Sequence, residues 1–311
     1  MLLYRLISLL PFPLLYIAAW LAYLVLYYLA GYRKAVVHQN LRHAFPEKSA
    51  REITVLAKKF YRQLTQVAFE TVKARRMTLD DFRRRVTVHN GERLLKLSRQ
   101  KTRSIIVLAI HQGNWEWMLH AATTTLGIPI DPVFKPLHDK VTDQLIFDIR
   151  SRFGSRPLAM ADSTRDILRR RKEFRLFVML ADQAPVRRER SYWTTFMHRE
   201  AAFYEGAESL AKLTGFPVMF AQCRRLRRGH YEMMLHELAE PPYDKSSHAI
   251  TDAYVAMAEA AIRAEPESWL WSNRRWKRDR AREAAEVTPP PTADHQVTPD
   301  PDSSSQSKPP A

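Results

Sequence analysis

His111 and Glu116 are the residues of this chain whose types and spacing most directly suggest chemistry. A neutral imidazole takes a proton from a hydroxyl near neutral pH, and a carboxylate beside it can fix the tautomer and stabilise the charge that forms. The pair stands where the apolar run Ile105-Ile106-Val107-Leu108-Ala109-Ile110 gives way, through Gln112-Gly113-Asn114, to an apolar, Ala-containing stretch from Trp115 to Leu126. That order predicts a buried strand, His111 at its carboxyl end, and a helix with Glu116 in its first turn. Ligands of open α/β sheets bind at this edge, and the helix dipole there disfavours a resting imidazolium. The same residues also read as a turn histidine and an acid complementing a helix dipole, and the spacing does not separate the two readings.

Other stretches carry chemistry-bearing side chains. Lys135, in Phe134-Lys135-Pro136, follows a strand-like run and can reach a phosphate or an oxyanion; its alternative is a solvated loop lysine. Asp143 and Arg150 stand seven apart on one face of the next helical stretch. Asp182 follows the apolar run Leu176–Ala181, so it too falls at a strand's carboxyl end, where a turn or cap aspartate is the ordinary alternative. Arg187-Arg188-Glu189-Arg190 with Tyr192 and Trp193 forms a basic, aromatic lip suited to a phosphorylated lipid at a bilayer surface. Trp269-Leu270-Trp271, followed by Arg274, Arg275, Trp276, Lys277, Arg278, Arg280 and Arg282, suits an anionic interface or, equally, a single-stranded nucleic acid.

His111-x4-Glu116 after an apolar strand resembles the motif of the glycerolipid and lipid A acyltransferases. Phe134-Lys135-Pro136 with Asp143 and Arg150, Ala181-Asp182-Gln183, Gly206 to Gly215, and Trp269-Leu270-Trp271-Ser272-Asn273-Arg274-Arg275-Trp276-Lys277 resemble the lipid A late-acyltransferase branch, in that family's order, over approximately residues 1–280. The resemblance implies a mixed central sheet flanked by helices, with His111 as general base oriented by Glu116. It also implies substrate binding by Asn114, Lys135, Arg150 and Asp182. Asn273 stands where other late acyltransferases often have histidine. No metal or cofactor is implied.

The rest of the chain sets the context. Leu14 to Ala30 is uncharged, apolar and rich in tyrosine, and at about 1.5 Å per helical residue it can cross most of a bilayer core. Arg33, Lys34 and Arg42 follow it against Arg5 before it, which places the carboxyl side in the cytoplasm; Pro11 and Pro13 offer a bent, interfacial alternative, and a single span is the expectation. Residues 1–31 are thus read as an anchor, 32–282 as an acyltransferase domain, and the Pro/Ser-rich 283–311 as a disordered tail. Helical periodicity over Val36–Arg76 breaks at Pro46-Glu47-Lys48-Ser49, with Ser49 as N-cap of the second helix. Strands are expected near Ser104–Ile110, Ile130–Phe134, Phe174–Ala181, Pro217–Cys223 and His230–His236, the last two as an antiparallel pair. Helices are expected near Trp115–Leu126, Lys140–Phe153, Thr164–Arg171, Glu205–Thr214 and Ser247–Ala264. Cys223, the single cysteine, reads as a buried inert thiol.

A net charge of +16 calls for acidic partners. The expected activity is transfer of an acyl chain from an acyl thioester to a hydroxyl. By resemblance the donor is acyl–acyl carrier protein, and the acceptor a phosphorylated lipid A precursor in a Gram-negative inner membrane, with anionic membrane lipid as a further partner and nucleic acid as none. The same chemistry on an aminolipid or glycolipid is the close alternative. A non-catalytic basic protein explains the charge but not the arrangement from His111 to Asp182. A metal hydrolase built on His111, His120 and His138 lacks a dense ligand spacing.

Overall fold

The structure, a computed structural model, describes residues 2–186, 191–280 and 283. Two short helices open the chain: α1 (Leu2–Leu9) and α2 (Phe12–Leu24), the latter running on through a π-helical turn, Val25–Leu29. They separate at Pro11, whose ring cannot continue a helix. The 18 residues Phe12–Leu29 are long and apolar enough to cross a membrane, with a mean hydropathy of 1.8. α3 (Lys34–Ala44) and α4 (Ala50–Lys73) follow the predicted break. Ser49 caps α4 in a reciprocal arrangement: its hydroxyl accepts from the Glu52 amide, and the Glu52 carboxylate accepts from the Ser49 amide.

The chain alternates strands and helices after α5 (Leu79–Arg85): β1 (Val86–His89), α6 (Gly91–Leu97), β2 (Ile105–Ala109), α7 (Trp115–Leu126), β3 (Ile130–Phe134), α8 (Lys140–Ser151), β4 (Leu158–Ala159), α9 (Met160–Arg169) and β5 (Leu176–Leu180). A hairpin, β6 (Ser191–Phe196) and β7 (Arg199–Tyr204), precedes α10 (Gly206–Thr214), β8 (Val218–Arg227), β9 (His230–Ala239) and α11 (Ala249–Ala264). Seven strands form one mixed sheet in the order β1-β9-β8-β2-β5-β3-β4. Only the β8–β9 pairing in it is antiparallel. The expected α/β class with a mixed, helix-flanked sheet is what the chain adopts.

β2 is buried on both faces, as its unbroken β-branched and aliphatic run requires. Ile106, Leu108 and Ile110 join the core made with α2, α3, α4, α10 and α11, while Ile105, Val107 and Ala109 join the core under α5, α6, α7 and α8. The decisive feature is that β2 and β5, distant in sequence, are parallel neighbours with Ala109 opposite Leu180. Their exits therefore lie side by side, and His111 comes level with Asp182.

Candidate active site

Local backbone geometry presents His111. Gly113 has φ +59, and a Cβ there would lie 2.5 Å from Cys223 Sγ, so only glycine makes this turn without strain. The last turn of α11 and the segment after it clamp the loop: the Leu270 amide donates to His111 O at 3.0 Å, the Gly113 amide to Ser268 O at 3.0 Å, and Gln112 Nε2 to Ala261 O at 2.9 Å.

The partner of His111 is Asp182, not Glu116. Asp182 Oδ1 lies 2.6 Å from His111 Nδ1, and Oδ2 accepts the His111 amide at 3.0 Å and Trp269 Nε1 at 2.7 Å. Burial alone would raise the pKa of Asp182, but the His111 ring, these hydrogen bonds and Trp269 outweigh it, so the carboxyl titrates below its ordinary range. A carboxylate at Nδ1 fixes the Nδ1–H tautomer and leaves the Nε2 lone pair free. Gln183 Nε2 approaches His111 Nε2 at 3.3 Å, in the donor role that this tautomer requires, and the Trp115 ring stands edge-on 5.2 Å from the imidazole.

Glu116 does different work. Arg150 reaches it from α8 with two bonds, Nε to Oε2 at 2.9 Å and Nη2 to Oε1 at 2.6 Å, while Trp115 Nε1 donates at 3.1 Å. This bidentate pair is 6% exposed on the glutamate and 19% on the arginine. Burial opposes both charges, yet each holds the other charged: Glu116 is lowered and Arg150 raised. The assignment of Glu116 as the group that orients His111 is thereby corrected. The helix that begins at Trp115 turns its first-turn acid toward α8, and the exit of β5, the third strand after β2 in sequence, supplies the carboxylate for His111.

Asn114, expected to touch substrate, is fully buried with its amide in use on both sides. Its oxygen caps α7 by accepting the Trp117 amide at 3.0 Å, and its nitrogen donates to Glu70 Oε2 at 2.9 Å. Lys135 is exposed on the loop after β3; Asp143 pins that loop by accepting the Leu137 amide at 2.8 Å, and Arg150 lies 5.8 Å from the Phe134 ring. His111, Arg150 and Asp182 thus converge with Glu116, whereas Lys135 stands at the periphery.

From Trp115, Glu116 and Arg150 a narrow apolar cavity of about 70 Å³ runs between α7 and the sheet, past Val107, Met118, Val178 and Leu235. Four contributors have roles the sequence reading did not give them, and Glu70 was not singled out at all. Trp269 and Gln183 fix the Asp182–His111 pair. Arg275 is buried against Phe203 (4.2 Å) and Phe196 (5.5 Å); burial, partly offset by Asp182, pulls its pKa down to about 10. Glu70 lies wholly inside, accepting from Tyr16 (2.8 Å), Tyr231 (2.6 Å) and Asn114. Burial raises its pKa against the pull of those donors and Arg225. A charged residue at a core phase of α4, one residue before Thr71 in the apolar stripe, was the available signal for Glu70.

A sequence profile for the bacterial lipid A biosynthesis acyltransferases matches residues 1–278. The chain belongs to this family. No curated protein sequence matched it. The acyltransferase domain carries several corrections to the surface reading. Trp269 and Trp271 are core residues, with Trp271 Nε1 donating to Pro266 O at 2.5 Å, and Arg275 is buried with them, so only Arg274, Lys277 and Arg280 of that basic segment are exposed among the described residues. The segment cannot lie flat on a membrane because its rings fill the space behind Asp182. His120 is enclosed by Phe82 and Phe153, and neither ring nitrogen has a hydrogen-bond partner among the described residues. Among the described residues no three His, Cys, Asp or Glu side chains converge as metal ligands. Cys223 is buried, and burial pushes its thiol up to about 12. The Arg187–Arg190 lip, Arg282 and the tail apart from Glu283 lie outside the described residues.

Proposed function

We propose that this family member is a membrane-bound O-acyltransferase that moves a fatty acyl chain from acyl–acyl carrier protein to a hydroxyl of a phosphorylated lipid A precursor. The observation that carries the reading is a single one: His111 has Nδ1 locked by Asp182 and Nε2 set as an acceptor toward Gln183, with Trp115 between it and the Glu116–Arg150 pair that lines an apolar cavity.

His111 Nε2 takes the proton of the acceptor hydroxyl as its oxygen attacks the thioester carbonyl. The negative charge that forms on the carbonyl oxygen is met by Arg150, whose Nε and Nη2 are held by Glu116 and whose Nη1 has no protein partner among the described residues. As the intermediate collapses, the C–S bond breaks, and the imidazolium returns its proton to the departing thiolate. The products are an ester and a free carrier thiol. Lys135 supplies a cationic contact for the acceptor's phosphate, and the apolar cavity takes the acyl chain. The basic charge suits the acidic carrier as well as the acceptor. Phe12–Leu29 anchors the enzyme at the inner membrane from the interface, with Leu15, Ala19, Tyr23 and Tyr27 packed inward and Leu14, Ile17, Trp20 and Leu21 turned out, and Arg33, Lys34 and Arg42 on the cytoplasmic side.

The test is mass spectrometry of lipid extracts incubated with acyl–acyl carrier protein and the purified enzyme. An added acyl group on a phosphorylated glucosamine lipid is expected, and His111→Ala should reduce its rate by roughly 10²- to 10⁴-fold, the usual worth of a positioned base. Undiminished transfer by a folded His111→Ala protein overturns the mechanism. Transfer to an aminolipid or glycolipid instead keeps the mechanism and replaces the acceptor.

A further inference from the structure

The N-terminal helix touches more than apolar neighbours. Beside α2 a groove of about 380 Å³ is lined by Tyr16, Ile17, Trp20, Arg62, Gln66 and Arg228, none of which belongs to the His111 site. Three elements meet there: α2, α4, and the turn between β8 and β9. Its two arginines are held over rings of α2, Arg62 5.2 Å from the Tyr23 centroid and Arg228 5.2 Å from that of Tyr16. Neither is ion-paired among the described residues. The groove is also preformed. Tyr16 is fixed by its bond to the buried Glu70, and the Gly229 turn packs so closely on the Tyr16 hydroxyl that a side chain at 229 would collide with it.

One edge of the groove is thus cationic and the other apolar. Ile17 (56% exposed) and Trp20 (50%) belong to the same outward face of α2 as Leu14 and Leu21. A free anion would engage only the arginines. A phosphodiester bearing acyl chains would engage both edges, its phosphate between Arg62 and Arg228 and its chains along Ile17 and Trp20. A tryptophan beside paired cations is the composition of a headgroup-depth contact. We infer that this groove binds the headgroup of an anionic phospholipid of the bilayer, at a position separate from the acyl-transfer site.

Membrane binding of the full chain tests this without reference to turnover. Flotation is measured with phosphatidylcholine vesicles and with vesicles containing phosphatidylglycerol as well. Wild type should prefer the anionic vesicles. Arg62→Ala and Arg228→Ala should each reduce that preference about fivefold, the size expected for one basic residue near an anionic surface, and both together about 25-fold. Binding to phosphatidylcholine should stay unchanged, because the apolar face is intact. A control of equal charge, Arg99→Ala with Arg171→Ala, removes two exposed arginines that precede β2 and β5, and it should retain the preference. If control and groove variants lose it equally, the attraction is diffuse and the site is refuted. If millimolar inorganic phosphate abolishes the preference at constant ionic strength, the groove takes free anions, and the lipid assignment is overturned.

Discussion

Replacing Asp182 by asparagine should inactivate the enzyme more thoroughly than replacing it by alanine, although asparagine is the gentler change to the fold. The reason lies in the three donors around the carboxylate. The His111 amide and Trp269 Nε1 both donate to Oδ2, while His111 Nδ1 faces Oδ1. An asparagine amide has one acceptor and one donor end, and two fixed N–H groups claim the acceptor. Its NH2 must then face Nδ1, which can accept only if the proton moves to Nε2. The nitrogen needed as base is thereby protonated. Loss of the required tautomer in a serine-protease triad costs about 10⁴ in kcat, equivalent to about 5.4 kcal/mol of barrier, and a loss of roughly 10³- to 10⁴-fold is expected here. Alanine leaves the tautomer free, so part of the population keeps Nε2 as acceptor and the loss should be about tenfold smaller. Stability should run the other way, since alanine strands two buried N–H groups at about 1–3 kcal/mol each. Initial rates of transfer and thermal melts of the three proteins decide the matter. Asparagine more active than alanine, with both folded, would refute the assignment of Asp182 as the group that sets the tautomer.

Glu116→Ala and Arg150→Ala should each cost about 3 kcal/mol, because either leaves a buried charge unmatched, while the double variant should cost less than their sum; urea titrations of the four proteins measure the coupling. Arg150→Lys should not restore activity, since an ammonium cannot hold the glutamate through two parallel bonds. Acid sensitivity should trace partly to His120, whose burial pulls its pKa from 6.5 to about 4. The unfolded chain therefore binds more protons between those values, and stability present above pH 6.5 is lost as the pH falls toward 4, by about 3 kcal/mol in all. His120→Leu should flatten that part of the stability–pH curve and leave stability at pH 7.5 equal or higher, as the imidazole has no hydrogen-bond partner there; an unchanged slope would exclude His120 as the source. Gly113→Ala should destabilise strongly through both φ and the Cys223 clash, and Cys223→Ala should restore only part of the loss, as read by melting temperature.

What was legible in the sequence follows the range over which each signal acts. β2, β3, α7, the Ser49 cap and the antiparallel β8–β9 pair are encoded in local runs, and all lie where those runs place them. β8 extends past the expected Cys223 to Arg227, since its last residues are polar and the apolar pattern stops before the ladder does. The hairpin of β6 and β7 was missed because Ser191–Phe196 carries too little alternation to announce a strand. Strand order was not legible at all. The sequence singled out His111, Glu116, Arg150 and Asp182 one by one, but which of them pair depended on β5 lying beside β2, and no local pattern carries that adjacency. The aromatic segment from Trp269 misled for a related reason: tryptophan beside arginine has the same composition at a bilayer surface and in a core where Arg275 stacks on Phe203.

The division of the two carboxylates also has an electrostatic logic that a His111–Glu116 pair would lack. If Glu116 turned to His111, Arg150 would remain as an uncompensated cation in a largely buried position, and Asp182 would keep only the Trp269 and backbone donors. Neither charge would then be matched in a low-dielectric site, where the cost of each is several kcal/mol. With the observed pairing, Glu116 and Arg150 neutralise one another, and the remaining negative charge, on Asp182, sits beside the one group that becomes positive during transfer. Forming the imidazolium therefore creates an ion pair in place of an isolated charge. In the proposed mechanism the oxyanion develops at the other pair, where a guanidinium fixed by two bonds needs no reorganisation to meet it. Proton transfer to His111 and charge build-up beside Arg150 would then fall at separate, individually balanced places, so substitutions at Asp182 should act on the base and those at Glu116 on the cation.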